Sequence, residues 1–158
     1  ITWYEARNLA SCMSYMGLPG HLATITSKEE DGFVRTNLPI ETPRVWLGGT
    51  DEADEGNWRW ITGESFVWAE SNTNGWGWDS QYGEPNGGTG ENCMDYDDGS
   101  VYWNDTECER DEIGCFLVEF EEIEPIPTLS NYGIFILIMI LAGSFYFISR
   151  RKTKYSCN

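Results

Sequence analysis

The sequence predicts an α+β domain, on three observations. Two segments carry helix-start signals: Thr2 with Glu5, and Ser27 with Glu30, each set a hydroxyl three residues before an acid, the spacing of a capping box. Several short runs are patterned as strands: Val45-Trp46-Leu47-Gly48-Gly49, the alternating Trp58-Arg59-Trp60, and residues 115–120. Asp98-Gly99, between two further runs, is a two-residue hairpin signal, so part of the sheet is antiparallel. The 158 residues suffice for one domain with a proper core.

In chain order, the first helix starts at once. Leu9, Cys12, Met13 and Met16 recur at i, i+3, i+4 and i+7 and mark its apolar face, and Gly17 ends it. The chain opens there without Met or a leader, which reads as an incomplete N-terminus. Gly20-His21-Leu22-Ala23 begins a strand, and His21, the only histidine, has no nucleophile near it and reads as structural. The helix begun at Ser27 stops before Pro39. Strands at 45–49 and 58–60 bracket an acidic loop at 51–56. Residues 69–90 carry six glycines and little periodicity, and a loop of that length in a compact domain points to function. Its Trp76, Trp78 and Tyr82 either stack on the flat face of a ligand or pack the loop onto the body.

Residues 84–105 concentrate the chemistry. Glu84, Asn86, Glu91, Asn104 and Asp105 all offer oxygen, the donor that Ca²⁺ takes, and none offers the nitrogen or sulfur that zinc prefers. Pro85 makes a cis peptide affordable, and a cis bond turns Glu84 and Asn86 toward one centre. A hairpin at Asp98-Gly99 folds the strand before it onto the strand after it, which brings Asn104 and Asp105 beside Glu91.

This stretch resembles a C-type lectin domain. The matching residues are E-P-N at 84–86, Glu91, Cys93, W-N-D at 103–105 and Cys108. The resemblance extends over roughly residues 1–120, with G-H-L-A at 20–23, the Trp46 strand and the closing strand at 115–120 similar to family elements. It implies a C-type lectin-like fold of two helices and small antiparallel sheets with a long Ca-binding loop, preceded by a further strand upstream of residue 1. It also implies that Glu84, Asn86, Glu91, Asn104 and Asp105 hold Ca²⁺ and that the ion takes two neighbouring sugar hydroxyls, so the same five residues form the carbohydrate site. In the family, E-P-N accompanies mannose-type glycans with equatorial 3- and 4-hydroxyls. The loop disulfide is then Cys93–Cys108. The family's long disulfide falls nearer Ala10 and Val118, so Cys12 and Cys115, though displaced, are the expected second pair, with Cys157 unpaired. Such bridges require an oxidising compartment.

Charge narrows the partners. All 26 acidic residues lie at or before Glu124, against six basic ones, a formal net of −20 for that part of the chain. Such a domain repels nucleic acid. Aromatics at 15%, including eight Trp, exclude a disordered acidic chain. Acid pairs such as Asp97/Asp98 invite comparison with a glycosidase, but no general acid in a patterned apolar pocket and no nucleophile motif accompany them, so a binding module and not an enzyme is expected. A protein- or ice-binding module that uses calcium structurally is the alternative on the same fold.

Glu121–Pro127 is acidic and Pro-containing, a linker by composition, and the stretch after the domain at 1–123 is assigned as a linker over 124–131. Residues 129–149 are uncharged, close to the ~20 residues that span a bilayer, and a membrane helix is expected over 132–149. Arg150-Arg151-Lys152 opens a basic tail, 150–158, on the cytoplasmic side. Ile126-Pro127-Thr128-Leu129, the apolar run and the basic end resemble a bacterial C-terminal sorting signal. That resemblance implies display on a bacterial cell envelope and an exosortase-like processing enzyme as partner, with a plain single-span anchor as the alternative.

Overall fold

The computed structural model describes residues 1–38, 44–97 and 102–121. Helix α1 (Trp3–Ser11) forms where the capping box predicts: Glu5 N–H donates to Thr2 Oγ1 at 3.2 Å and Thr2 N–H donates to Glu5 Oε2 at 3.0 Å. Its buried face is Trp3, Ala6 and Ala10, not the expected Leu9, Cys12, Met13 and Met16. The small side chains explain the difference. They let the helix backbone approach strand β2 (Leu18–Leu22) so closely that a Cβ on Gly20 would stand 2.8 Å from the Ala10 carbonyl oxygen. The helix ends before Gly17. Strand β1 (Ser14–Tyr15) pairs with β2 across a two-residue turn, Met16-Gly17, both at positive φ, and Met16 is 81% exposed.

Helix α2 (Lys28–Asn37) is capped by Ser27 and stops at Leu38. Glu30 does not close a capping box; its Oε2 accepts from Thr26 N–H at 2.8 Å. The helix faces inward through Val34 and Asp31, and Asp31 is held by Arg35 at 2.6 Å and by the Tyr96 hydroxyl at 3.0 Å.

Two sheets form. The smaller has the order β1-β2-β8, with β8 (Val118–Phe120) antiparallel to β2. In the larger, β3 (Val45–Thr50) pairs on one side with β5 (Cys93–Tyr96), which pairs with β6 (Trp103–Thr106). The other side of β3 is shared by β4 (Arg59–Trp60) and, in parallel, β7 (Cys115–Phe116). The β5–β6 pair runs from Cys93 opposite Thr106 to Tyr96 opposite Trp103, the expected antiparallel hairpin; its Asp98-Gly99 turn lies outside the described residues.

The long loop is laced to this sheet. Trp78 N–H donates to the Ala69 carbonyl, Trp103 N–H to Gly77 and Asp79 N–H to Trp103, at 2.8–2.9 Å. Trp76 and Trp78 are therefore buried, in edge-to-face contact with Trp103, and of the three loop aromatics only Tyr82 is exposed. A short helix, α3 (Ser71–Asn74), which the sequence did not signal, lies in the same loop. The aromatic cluster Trp58, Trp60, Trp78 and Trp103 fills one core, and Trp3, Leu22, Trp46 and Cys93 fill a second.

Cys93 and Cys108 are bridged across a separation of 15 residues. The expected Cys12–Cys115 pair does not form, because Cys115 keeps a free thiol. β7 carries Cys115 against the aromatic core, opposite Val45, whereas Cys12 is exposed at the end of α1, which packs on the other core. No helix among the described residues is long and apolar enough to cross a membrane. The linker from residue 124, the membrane helix at 132–149 and the basic tail lie outside the described residues.

Candidate metal centre

β6 presents Asn104 and Asp105 to the loop at 84–91. Asp105, 2% exposed, is the centre of the arrangement: its Oδ1 accepts from Asn86 N–H at 3.0 Å and its Oδ2 from Gly87 N–H at 2.8 Å. The Glu84–Pro85 peptide is cis. Just before it, the amides of Tyr82, Gly83 and Glu84 all donate to the Asp79 carbonyl, a tight turn that presents Glu84 to Asp105. Glu91 closes from the other side. Its Cβ and Oε2 lie 2.3 Å from where a Cβ on Gly87 would stand, so a side chain at 87 would force Glu91 to shift.

Electrostatically the pocket is poised for a cation. Burial, a hydrogen bond with Asp105, and the charges of Asp105, Glu91 and Asp97 together push the Glu84 carboxyl up to about 8. Burial and Asp105 also raise Glu91, against Arg44 and Arg110. Of the two guanidiniums that act on Glu91, Arg44 is already engaged, paired with buried Asp95 at 2.6 Å. Glu84 Oε2 is buried and accepts from no N–H of the described residues. Such a carboxylate oxygen beside a second buried carboxylate suits a hard divalent cation, which takes oxygen from both.

The remaining two expected ligands stand at the edge. Asn86 reaches Asp105 through its backbone, while its side-chain amide donates to the Tyr82 carbonyl at 3.4 Å. Asn104 Nδ2 donates to the Asp105 carbonyl oxygen. The other four residues are thus gathered around Asp105. The sequence reading passed over Asp51, taking 51–56 as an acidic loop only. Asp51 is 3% exposed; its Oδ2 accepts from Gly56 N–H at 2.8 Å and its Oδ1 has no partner. Burial raises Asp51, with the Asp105 charge adding to it, and burial, Asp51 and Asp105 in that order raise Glu55, so this loop backs onto the same acidic centre. Asp51 directly follows β3, whose Thr50 lies opposite Cys93, a pairing that carries no signal in the sequence.

A loop of converging oxygen donors, tied down by a disulfide-linked hairpin, defines a ligand-binding module. The chain belongs to the C-type lectin family: the family model for the lectin C-type domain matches residues 1–113. That domain is a binding fold without enzymatic chemistry. Halomucin of Haloquadratum walsbyi is 35% identical over 101 residues, 58% of this chain and 1% of that protein. A perlucin-like protein of Mytilus galloprovincialis is 30% identical over 116 residues, covering 71% of this chain and 66% of the relative. An alpha-N-acetylgalactosamine-specific lectin of Patiria pectinifera is 31% identical over 116 residues, 69% of this chain and 63% of that protein. The chain thus spans only part of these relatives. Among solved structures, the carbohydrate-recognition domain of cow CD23 is similar at 29% identity and TM-score 0.53, over 69% of this chain and 72% of that one. A calcium-independent type II antifreeze protein is similar at 27% identity and TM-score 0.52, over 70% and 72%.

Proposed function

We propose that the domain binds carbohydrate through Ca²⁺ held by Glu84, Asn86, Glu91, Asn104 and Asp105, with preference for mannose-type sugars. The observation that carries this is the Glu84–Asp105 carboxylate pair with the buried Glu84 Oε2, which accepts from no N–H of the described residues. Among the described residues no group of three or more acids, histidines and cysteines is placed to hold a metal, and the proposed set adds to its three acids the amide oxygens of Asn86 and Asn104. Bound Ca²⁺ supplies the positive centre for two vicinal hydroxyls. The side chains read their arrangement: each carboxylate accepts a hydrogen bond from a hydroxyl and each amide N–H donates one to a hydroxyl oxygen, so acid at 84 and amide at 86 set the layout. An epimer that leaves these groups unpaired is penalised.

A competition assay with mannose and galactose, with and without chelator, tests this. Mannose should win by at least about tenfold and binding should vanish with chelator. Glu84→Gln with Asn86→Asp should turn preference toward galactose. Equal binding in chelator would refute the reading. The antifreeze neighbour favours a second reading, ice or protein binding on the same fold. Thermal hysteresis by the protein, unaffected by sugar, would support that reading. For the tail we propose a membrane helix over 132–149 after a linker at 124–131, display on a bacterial envelope, and exosortase-like cleavage near Thr128. Recovery of the 150–158 peptide in the mature surface form would rule out the cleavage.

A further inference from the structure

A second cleft, of about 460 Å³, opens along β4, which shares the β3 edge opposite the one that leads to Asp105 on β6. Its size lies in the ~300–1,000 Å³ range of small-molecule sites. None of the five proposed calcium ligands lines it. Trp68 forms one wall and is 50% exposed. Its ring is fixed: the indole N–H donates to Glu70 Oε1 at 3.1 Å, and the ring lies 5.8 Å from that of Trp78, tilted 39°. Half-buried Phe66 and buried Trp58 extend the apolar lining. An exposed but immobilised indole offers a flat face at little ordering cost.

The polar groups are equally specific. Arg59, exposed on β4, makes no ion pair or side-chain hydrogen bond among the described residues. In a chain of net charge −16 an unpaired guanidinium in an aromatic cleft is out of keeping with its surroundings, and it suits a carboxylate bidentately. Glu64, which also lines the cleft, has its Oε2 taken by the hydroxyls of Thr24 at 2.7 Å and Thr62 at 2.8 Å, which fixes the carboxylate and leaves its other oxygen to accept from a hydroxyl. A flat apolar face, one free cation and one fixed acceptor are the complement of a pyranose that bears a carboxylate.

We propose that this cleft is a second glycan subsite, for an acidic sugar of the uronic acid class: the ring stacks on Trp68, the carboxylate pairs with Arg59 and a hydroxyl donates to Glu64. This site works without calcium and stands whether or not the calcium reading holds. The test titrates the full chain with methyl β-D-glucuronide and with methyl β-D-glucoside, in excess EDTA, following Trp fluorescence and the indole NMR signals. Saturable glucuronide binding with a shift of the Trp68 signal is expected, and the neutral glucoside should bind about tenfold more weakly. Arg59→Gln, at an exposed side chain that leaves the core untouched, should erase that tenfold difference, and Trp68→Ala should abolish binding of both. No saturation in EDTA, equal affinity for the two glycosides, or glucuronide binding unchanged in Arg59→Gln would overturn the proposal. Glucuronide binding seen only with Ca²⁺ would also overturn it, by assigning that sugar to the calcium centre.

Discussion

At the residue scale, the Glu84–Asp105 pair has a measurable consequence. Burial and the neighbouring Asp105 hold the Glu84 carboxyl up at about 8, so at neutral pH the ion-free pocket keeps a proton. The sign is fixed by the raised value: the protonated pocket contributes stability at low pH and loses it as pH rises through about 8. A cation that needs the carboxylate ionised must displace that proton, so calcium affinity should climb as pH rises toward 8. Calorimetry in two buffers of different ionisation enthalpy should show proton release near pH 6.5 and little near pH 9. Constant heats across buffers at every pH would exclude Glu84 as a ligand. The residues themselves were legible in the sequence, because E-P-N, Glu91 and W-N-D lie within 22 positions and one hairpin turn closes them. Asp51 was not legible, because its approach to Asp105 depends on the β3–β5 register, which a linear pattern does not encode.

At the element scale, the lessons come from α1 and β8. The capping box located the start of α1, since a cap is a local hydrogen-bond exchange. The buried face was misread, because the methionine stripe carries the larger hydrophobicity while Ala6 and Ala10 allow the closer approach. Cys115 misled for a related reason: pairing depends on which core a strand faces, and spacing is silent on that. β8 carries Glu119, 6% exposed, whose Oε2 accepts from the N–H and hydroxyl of Thr24 at 3.1 Å. Burial, with Glu30 and Glu121 adding to it against the Thr24 bonds, pushes Glu119 up to about 8. Its folded value lies above its unfolded one, so the stability it contributes is full below about pH 4.5 and drains away up to pH 8. Glu119→Gln keeps an acceptor for Thr24 and removes the titration. The variant should be more stable than wild type by ~1–3 kcal/mol at pH 8, with the gap closing near pH 4.5. Urea unfolding at both values decides it, and a gap that does not change with pH would disprove the account. The Cys93–Cys108 bridge closes a loop of about 15 residues, and its replacement by two alanines should cost ~3 kcal/mol in the same assay.

At the scale of the whole molecule, charge governs. Against 26 acidic residues the chain sets ten basic ones, and Arg44 and Arg35 are already spent on buried aspartates. The folded domain therefore concentrates repulsion that the unfolded chain disperses, most sharply where Glu84, Glu91, Asp105 and Asp51 approach one another. Two remedies differ in kind. Sodium chloride screens every exposed pair, with a Debye length of ~8 Å at 0.15 M, and its benefit levels off. A calcium ion bound only by the folded state adds stability by mass action, ~2.7 kcal/mol at one hundred times its dissociation constant. For a chain of this length that corresponds to a rise of about 5–11 °C in Tm, and the rise continues with calcium concentration after the sodium effect has levelled. Asp105→Ala removes the carboxylate that organises the loop, so the variant should keep the sodium response and lose the calcium one. Thermal melts of both proteins in matched ionic strength measure this. A calcium shift no larger than that of sodium, or one that survives in Asp105→Ala, would show that the acidic loop is relieved by screening alone and holds no ion.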